Sequence, residues 1–415
     1  MIRPGHRGRE AGASVRAMAL QVRTARDNDR QALHDLSQLA FAARSAPYDE
    51  ASDRSATPLD RRLLATEGAR IVGRLAVWEL GQWFGGRRVP MGGVSGVAVA
   101  PDARGRGVAS TLVHEAIRTM RDRGEVVSSL YPMNHTLYRR HGWEVAGSYP
   151  EQRLDLRALT SLPRPDTEVE VRPTTEADLP AIRELHEAVS REEPGNLSHG
   201  PEFGARRLLG HPGIQEGYVA EADGRLTGLL VAGRTDPTDD RGFYTITVLQ
   251  LLAADLASEL ALLRVLAAQY PVAGTVTLVT PPQSALPMLV GERDLRPVDR
   301  GWCWMTRLVD AAGAIAARGY APDATAEVHL HLDDPVARWN TGPRVLRVKD
   351  GAGHLEPGGR GDVRLGIGRL ASLYTGWTSP HRLARLGLLT GADAADLAAL
   401  DRVFAGRLPW SRDFF

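Results

Sequence analysis

Cysteine is almost absent from this 415-residue chain. The single thiol, Cys303, excludes an intramolecular disulfide and any cluster of thiolate metal ligands. That fits a reducing, cytoplasmic setting. Long apolar runs are missing as well: no stretch of about 18 uncharged apolar residues occurs, so no segment reads as a membrane-spanning helix. Residues 1–10 are basic but lead into no apolar stretch and do not read as a secretory signal; residues 1–18 read as a flexible extension, an over-long start. Charge of one sign is not in excess either. With 51 basic and 50 acidic residues the formal net charge is +1, which removes the global electrostatic case for nucleic acid or an anionic membrane as partner. The 12 histidines are scattered without close metal-ligand spacing, and no metal is expected.

What is present is ordinary for soluble globular protein, 43% hydrophobic and 24% charged, and the length suits about two or three domains. The most informative stretch is residues 94–110, an apolar strand that runs through Pro101-Asp-Ala-Arg-Gly-Arg-Gly-Val-Ala109 into a helix at 110–123. Glycines at 105 and 107 let the backbone bend so that consecutive N–H groups face one concavity, and the next helix aims the positive end of its dipole there. Such a turn seats a pyrophosphate. A Walker loop needs Lys-Ser/Thr after its last glycine and a dinucleotide fold needs Gly-x-Gly-x-x-Gly; Gly107-Val108 satisfies neither.

The chain repeats itself. Val22-Arg23 followed by Asp29, Ala32 and Leu36 returns as Val171-Arg172 followed by Asp178, Ala181 and Leu185, in a strand, a polar turn and a helix. This predicts duplication of a whole domain. Residues 151–168 are rich in Pro, Arg and Asp and read as a linker. In the second copy, the strand at 243–252 and helix at 254–270 are joined by Leu252-Ala-Ala-Asp-Leu256, with no glycine for a phosphate turn. Beyond residue 305, strand-like runs at 324–332, 345–349 and 362–365 and helical runs at 368–373, 380–386 and 392–404 predict a smaller α+β unit. The apolar end, Trp410-Ser-Arg-Asp-Phe-Phe415, predicts a docked terminus.

The turn Arg104-x-x-Gly107-x-Ala109 after an apolar strand resembles motif A of the GCN5-related N-acetyltransferases (GNAT). Leu137-Tyr138-Arg-Arg-His-Gly142-Trp143 resembles the phrase that closes many such domains, and Leu370–Gly376 with Leu400–Phe404 resembles a sterol-carrier-like domain. Together they resemble the Enhanced intracellular survival (Eis) family of bacterial acetyltransferases over essentially everything after about residue 20. The resemblance implies an α+β fold with mixed sheets: a catalytic GNAT domain at 19–150, a degenerate one at 169–305 and a sterol-carrier-like domain at 306–415. It implies acetyl-CoA as co-substrate, held by the strand at Val97, Ala98 and Val99 and by the turn Arg104, Gly105, Arg106, Gly107, Val108 and Ala109. Tyr138 takes the place of the general acid and the carboxylate of the terminal Phe415 that of the general base. A homo-oligomer, a hexamer by resemblance, is implied too.

Acetyl transfer to an amine needs a proton acceptor for the ammonium, a donor for the carbonyl oxygen and a proton for the departing thiolate. Phe415, the Val97 N–H and Tyr138 supply one each; the structural alternatives are a terminal anchor for Phe415 and a core aromatic for Tyr138. His135 and His141 flank the tyrosine and are minor candidates for titration near neutrality. Ser95, Asp49, Asp53 and Asp413 are candidates for the acceptor pocket. The chain departs from the family at Phe414, where some members carry an acid, and at Gly96, where the family has phenylalanine. The expected acceptor is a primary amine of a small polyamine or aminoglycoside-like molecule, or a lysine. The competing reading is a non-catalytic protein that binds a ligand or lipid on the same domains.

Overall fold

The computed structural model describes residues 19–41, 47–49, 57–200, 216–235, 243–291, 294–298 and 301–415. Three sheets organise them. The first is built from β1 (Leu20–Thr24), β2 (Arg62–Glu67), β3 (Arg70–Phe84), β4 (Arg87–Val99), β5 (Val127–Leu130), β6 (Glu144–Tyr149) and a late arrival, β15 (Trp302–Leu308), in the order β1-β2-β3-β4-β5-β15-β6. The second holds β7 (Glu151–Asp155), β8 (Glu170–Pro173), β10 (Glu216–Ala222), β11 (Arg225–Arg234), β12 (Tyr244–Ala253), β13 (Ala273–Val279) and β14 (Leu295–Pro297), in the order β14-β7-β13-β12-β11-β10-β8. The orders match strand for strand, as duplication of a domain requires. The short β9 (Leu197–Ser198) leaves the second unit to pair with β3.

Two expectations are corrected here. Residues 151–168 are not a linker: they contain β7, which sits between β13 and β14, and helix α4 (Leu156–Leu159), whose leucines are buried in the second core. Trp302–Leu308, which the expected boundary at 305/306 divides between the second and third domains, pairs antiparallel with β5 and β6 of the first. The two GNAT-like units thus exchange their penultimate strands. Local pattern cannot report this, because Glu151–Asp155 shows one apolar side chain and partner choice is made far away in the chain.

Helices cover the sheets where their apolar spacing dictates. α1 (Arg30–Phe41) buries Leu33 and Leu36, and α2 (Val108–Asp122) buries Val108, Leu112, Val113, Ala116, Ile117 and Met120 along one 3.6-period face. Gly85 and Gly86, at φ 59° and 72°, make the two-residue turn of the long β3–β4 hairpin. α3 (His135–Arg140) follows β5, and α5 (Leu179–Arg191), α6 (Leu256–Ala267) and α7 (Leu286–Leu289) belong to the second unit.

The third sheet, β18-β17-β16-β19-β20, combines β16 (Ala326–Asp333), β17 (Gly342–Lys349), β18 (Ala352–Pro357), β19 (Val363–Gly366) and β20 (Leu389–Thr390). α8 (Ala311–Ala317), α9 (Ile367–Tyr374), α10 (Pro380–Arg385) and α11 (Ala394–Phe404) complete the unit. The predicted strands and helices of this region are present; β18, β20 and α8 were not foreseen. Its interior is continuous with the first unit, since Phe84, Met91 and Trp304 share one core with Leu330, Leu370 and Tyr374. A fully buried ion pair, Arg307 to Asp334 at 2.6 Å, ties β15 to the segment after β16. No helix of the described residues is long and apolar enough to cross a membrane.

Candidate active site

β4 and β5 run parallel only from Met91–Val127 to Gly93–Ser129 and then part. Just beyond, Gly96 and Val97 of β4 oppose the single Leu75 of β3 in a β-bulge, with Gly96 at φ 58°. That left-handed backbone accounts for a glycine where the family resemblance expects phenylalanine. Val97 and Val99 are partly buried, Ala98 faces the core, and Ser95 pairs with Ala76 before the bulge.

Past Val99 the chain turns through Gly105 and Gly107, at φ 75° and 81°, into α2. A Cβ on either glycine meets no atom within 4 Å, so the turn lies open. α2 has no side-chain cap: its first intrahelical bond runs from Thr111 N to Gly107 O, which leaves the leading N–H groups at Val108, Ala109 and Ser110 for an anion. Val99, Arg104, Gly105, Gly107, Val108 and Ala109 line one cleft of about 330 Å³, with Leu137 and Arg140 on its far wall. These groups fit a coenzyme A pyrophosphate. Arg106 points elsewhere, to an ion pair with Glu67.

The same place in the second unit is built differently. β12 and β13 also part after Thr247–Thr277, but α6 begins at Asp255, whose carboxylate accepts the Ser258 N–H at 2.8 Å. An acidic cap satisfies the helix end and repels phosphate. The missing glycines were legible in the sequence; the replacement of phosphate by a side-chain carboxylate was not.

α3 starts at Asn134, whose side chain accepts the Leu137 N–H at 3.1 Å. It presents Leu137 to the cleft and buries Tyr138, 8% exposed, edge-on to Trp143 at 6.2 Å. Burial pushes the Tyr138 phenol up to about 12, so it stays protonated at neutral pH. Arg139 and Arg369 both pair with Glu144, tying this helix to the third unit. His141 corrects an expectation. Burial first, then the neighbouring His114, hold it down to about 4, so it is neutral at pH 7. It joins His114, at 3.0 Å, to Ser110 on α2, at 3.1 Å. His135 is exposed on the surface of α3.

The end of the chain reaches the same region. The Phe415 ring lies so close to Gly93 that a Cβ there would stand 3.0 Å from it, which puts the ring where β4 and β5 part. Phe414 stacks on Tyr131 at 4.3 Å, with Trp302 at 5.4 Å and Tyr149 at 5.9 Å edge-on. The Tyr131 hydroxyl donates to the Asp413 carbonyl at 2.7 Å. The expected docking of the terminus is therefore observed.

Asp413 itself is a correction: it is 0% exposed, and its carboxylate turns inward to His199 (2.9 Å) and Gln250 (3.1 Å) rather than toward an acceptor. Asp49 is exposed, and Asp53 lies outside the described residues. His186, His199 and Asp413 form the one group among the described residues whose donor atoms converge as a metal site would, within 4.8 Å. The two imidazoles lie face to face at 3.8 Å between centroids, tilted by 31°, and the nearer one, His199, bonds the carboxylate directly. Sequence reading missed this cluster because its members lie far apart in the chain, and it missed the Tyr131 and Trp302 wall for the same reason.

Comparison with known proteins agrees with this arrangement. A family profile described as acetyltransferase (GNAT) domain matches residues 21–146, and one described as sterol carrier protein domain matches residues 311–412. A GCN5-related N-acetyltransferase from Kribbella flavida is 32% identical in sequence and has a TM-score of 0.83, over 96% of this chain and 99% of that one. One from Anabaena variabilis is 25% identical with a TM-score of 0.88, over 96% and 100%. N-acetyltransferase Eis from Mycobacterium tuberculosis is 26% identical over 92% of this chain and 96% of its own. The chain belongs to the Eis-like GCN5-related N-acetyltransferases, enzymes that take acetyl-CoA as co-substrate.

Proposed function

We propose that the protein transfers acetyl from acetyl-CoA to a primary amine of a small polyamine or aminoglycoside-like acceptor, by direct attack with both substrates bound. The observation that carries this reading is the cleft in which the uncapped start of α2 faces Leu137 and Arg140 of the Tyr138 helix, with the chain end set beside Gly93 where β4 and β5 part. In this reading the turn from Arg104 to Ala109 holds the pyrophosphate and the backbone of Val97 and Val99 holds the pantetheine arm. The Val97 N–H meets the carbonyl oxygen, Tyr138 gives a proton to the departing sulfur, and the Phe415 carboxylate takes one from the ammonium. Burial keeps the phenol protonated at neutral pH, so the proton is in place to be given.

We place the enzyme in the cytoplasm, where acetyl-CoA is found and Cys303 remains reduced, with no nucleic acid or membrane as partner. We also propose a homo-oligomer, a hexamer by the family resemblance; light scattering that returned only the 45.0 kDa monomer would refute it. The chemistry is tested by following free-thiol release from acetyl-CoA against a panel of amines, with mass spectrometry of each acceptor. Release that depends on the amine and leaves the acceptor one acetyl heavier supports the reading. A folded enzyme that binds acetyl-CoA and acetylates no amine of the panel overturns it.

A further inference from the structure

We infer that the second GNAT-like unit has converted its cofactor cleft into a clamp for the chain's own end, and that His186, His199 and Gln250 are positioning residues for the Phe415 carboxylate. This rests on the reading of that carboxylate as the base.

The gap that opens beyond Thr247 and Thr277 corresponds to the one that admits acetyl-CoA in the first unit. Here its walls include Leu251 and Val279, and Trp410 and Arg412 of the tail complete it. The tail is bonded to this unit residue by residue. Trp410 N donates to Pro194 O at 3.0 Å, Arg412 Nε to Asn196 Oδ1 at 2.9 Å, and Arg412 Nη1 to Leu251 O at 3.4 Å. Asp413 then receives Gln250 on one oxygen and His199 on the other. Its own carbonyl is held by Tyr131 of the first unit, so the residue is gripped from both sides only two positions before the terminus.

A carboxylate wholly out of water is costly unless paired, so so deep a placement needs its partners. The stack supplies them. His186 lies on His199, 1% exposed, with its Nδ1 3.8 Å from Glu187, and Glu187 also accepts the His199 backbone N–H at 3.1 Å. Among the described residues the charged or titratable groups that act on Asp413 are His186 on α5, His199 in the loop after β9 and Arg412 beside it in the tail, while Glu187 on α5 faces the two histidines; β12 contributes the neutral Gln250. Burial alone would push the Asp413 carboxyl up, and the two histidines outweigh it and hold the group well below the ordinary carboxylate range. Fixing Asp413 fixes Phe414 and Phe415, because two residues span at most about 7 Å of chain.

The test uses the full-length enzyme with His199→Ala, Gln250→Leu and the rescue variant His199→Gln, beside a form extended by one glycine after Phe415. Four quantities are read: kcat, KM for acetyl-CoA, melting temperature, and the rate at which carboxypeptidase Y frees Phe415, followed by mass spectrometry. We expect His199→Ala and Gln250→Leu to lower kcat at least tenfold and to raise Phe415 release at least tenfold. KM for acetyl-CoA should stay within twofold in enzyme that remains folded at the assay temperature, the melting temperature reporting the lost partner separately, and His199→Gln should recover part of both losses. Unchanged kcat and unchanged release in folded His199→Ala would overturn the clamp, as would parallel loss of acetyl-CoA affinity and melting temperature. If the glycine-extended enzyme turns over at the wild-type rate, the base assignment fails instead, while the carboxypeptidase rates still decide whether these residues hold the tail.

Discussion

Tyr131 and Asp413, 282 positions apart in sequence, meet in one hydrogen bond of 2.7 Å from phenol to backbone carbonyl. Tyr131 follows β5, the strand that parts from β4 at the opening, so this bond sets the end of the chain against the arm of the cleft. Tyr131→Phe keeps the ring stack with Phe414 and removes only the donor. One such bond is worth about 1 kcal/mol. We expect kcat to fall roughly fivefold, by the same free energy, with acetyl-CoA affinity unchanged in calorimetry; unchanged kcat would detach this bond from function.

Gly107→Glu should abolish acetyl-CoA binding in a protein that still folds. The substitution places a negative side chain at φ 81° beside the leading N–H groups of α2, and the backbone strain costs only about 1–2 kcal/mol. Calorimetry showing wild-type affinity in a folded mutant would remove the phosphate seat from this turn.

Tyr138→Phe should lower kcat on the order of 10²-fold, the range expected for a general acid, with little effect on acetyl-CoA affinity. Because burial raises the phenol to about 12, the protonated form persists well past pH 10, and the kcat profile should show no alkaline limb from Tyr138 near pH 10. The sign for stability follows: the contribution of the neutral phenol is whole below the unfolded value near 10 and is lost as pH rises through about 12. A wild-type limb near pH 10 that vanished in Tyr138→Phe would contradict this environment.

Asp334→Ala leaves the Arg307 guanidinium buried without its counter-ion, beside the His141 carbonyl to which it also donates. Breaking a buried pair on one side costs about 3–5 kcal/mol. Urea unfolding should show a loss of that size, and a loss below about 1 kcal/mol would mean that water reaches the site.

The sequence made the first opening legible because every part of it is local: an apolar strand, a glycine turn, a helix with one apolar face. The tail was legible as docked because Trp410, Phe414 and Phe415 are too apolar for solvent. Residues 151–155 were read as linker and the expected domain boundary cut through 302–308, since the exchange between units depends on pairing across more than a hundred residues. Asp413 was read as lining the acceptor pocket because nothing near it in sequence announces His199 or Gln250. Gly96 looked like a departure from the family pattern, and its left-handed backbone in the bulge supplies the reason.

The central claim is that the chain's own terminal carboxylate takes the proton of the attacking amine, and a single added residue tests it most directly. Glycine after Phe415 turns that carboxylate into a neutral amide and moves the charge by up to about 3.5 Å. Thiol release with a saturating amine should fall by 10² to 10⁴-fold, the contribution typical of a positioned base, while acetyl-CoA affinity and melting temperature stay at wild-type values. An extended enzyme that folds, binds acetyl-CoA and turns over at the wild-type rate would contradict the account and return the base to a side chain or to water.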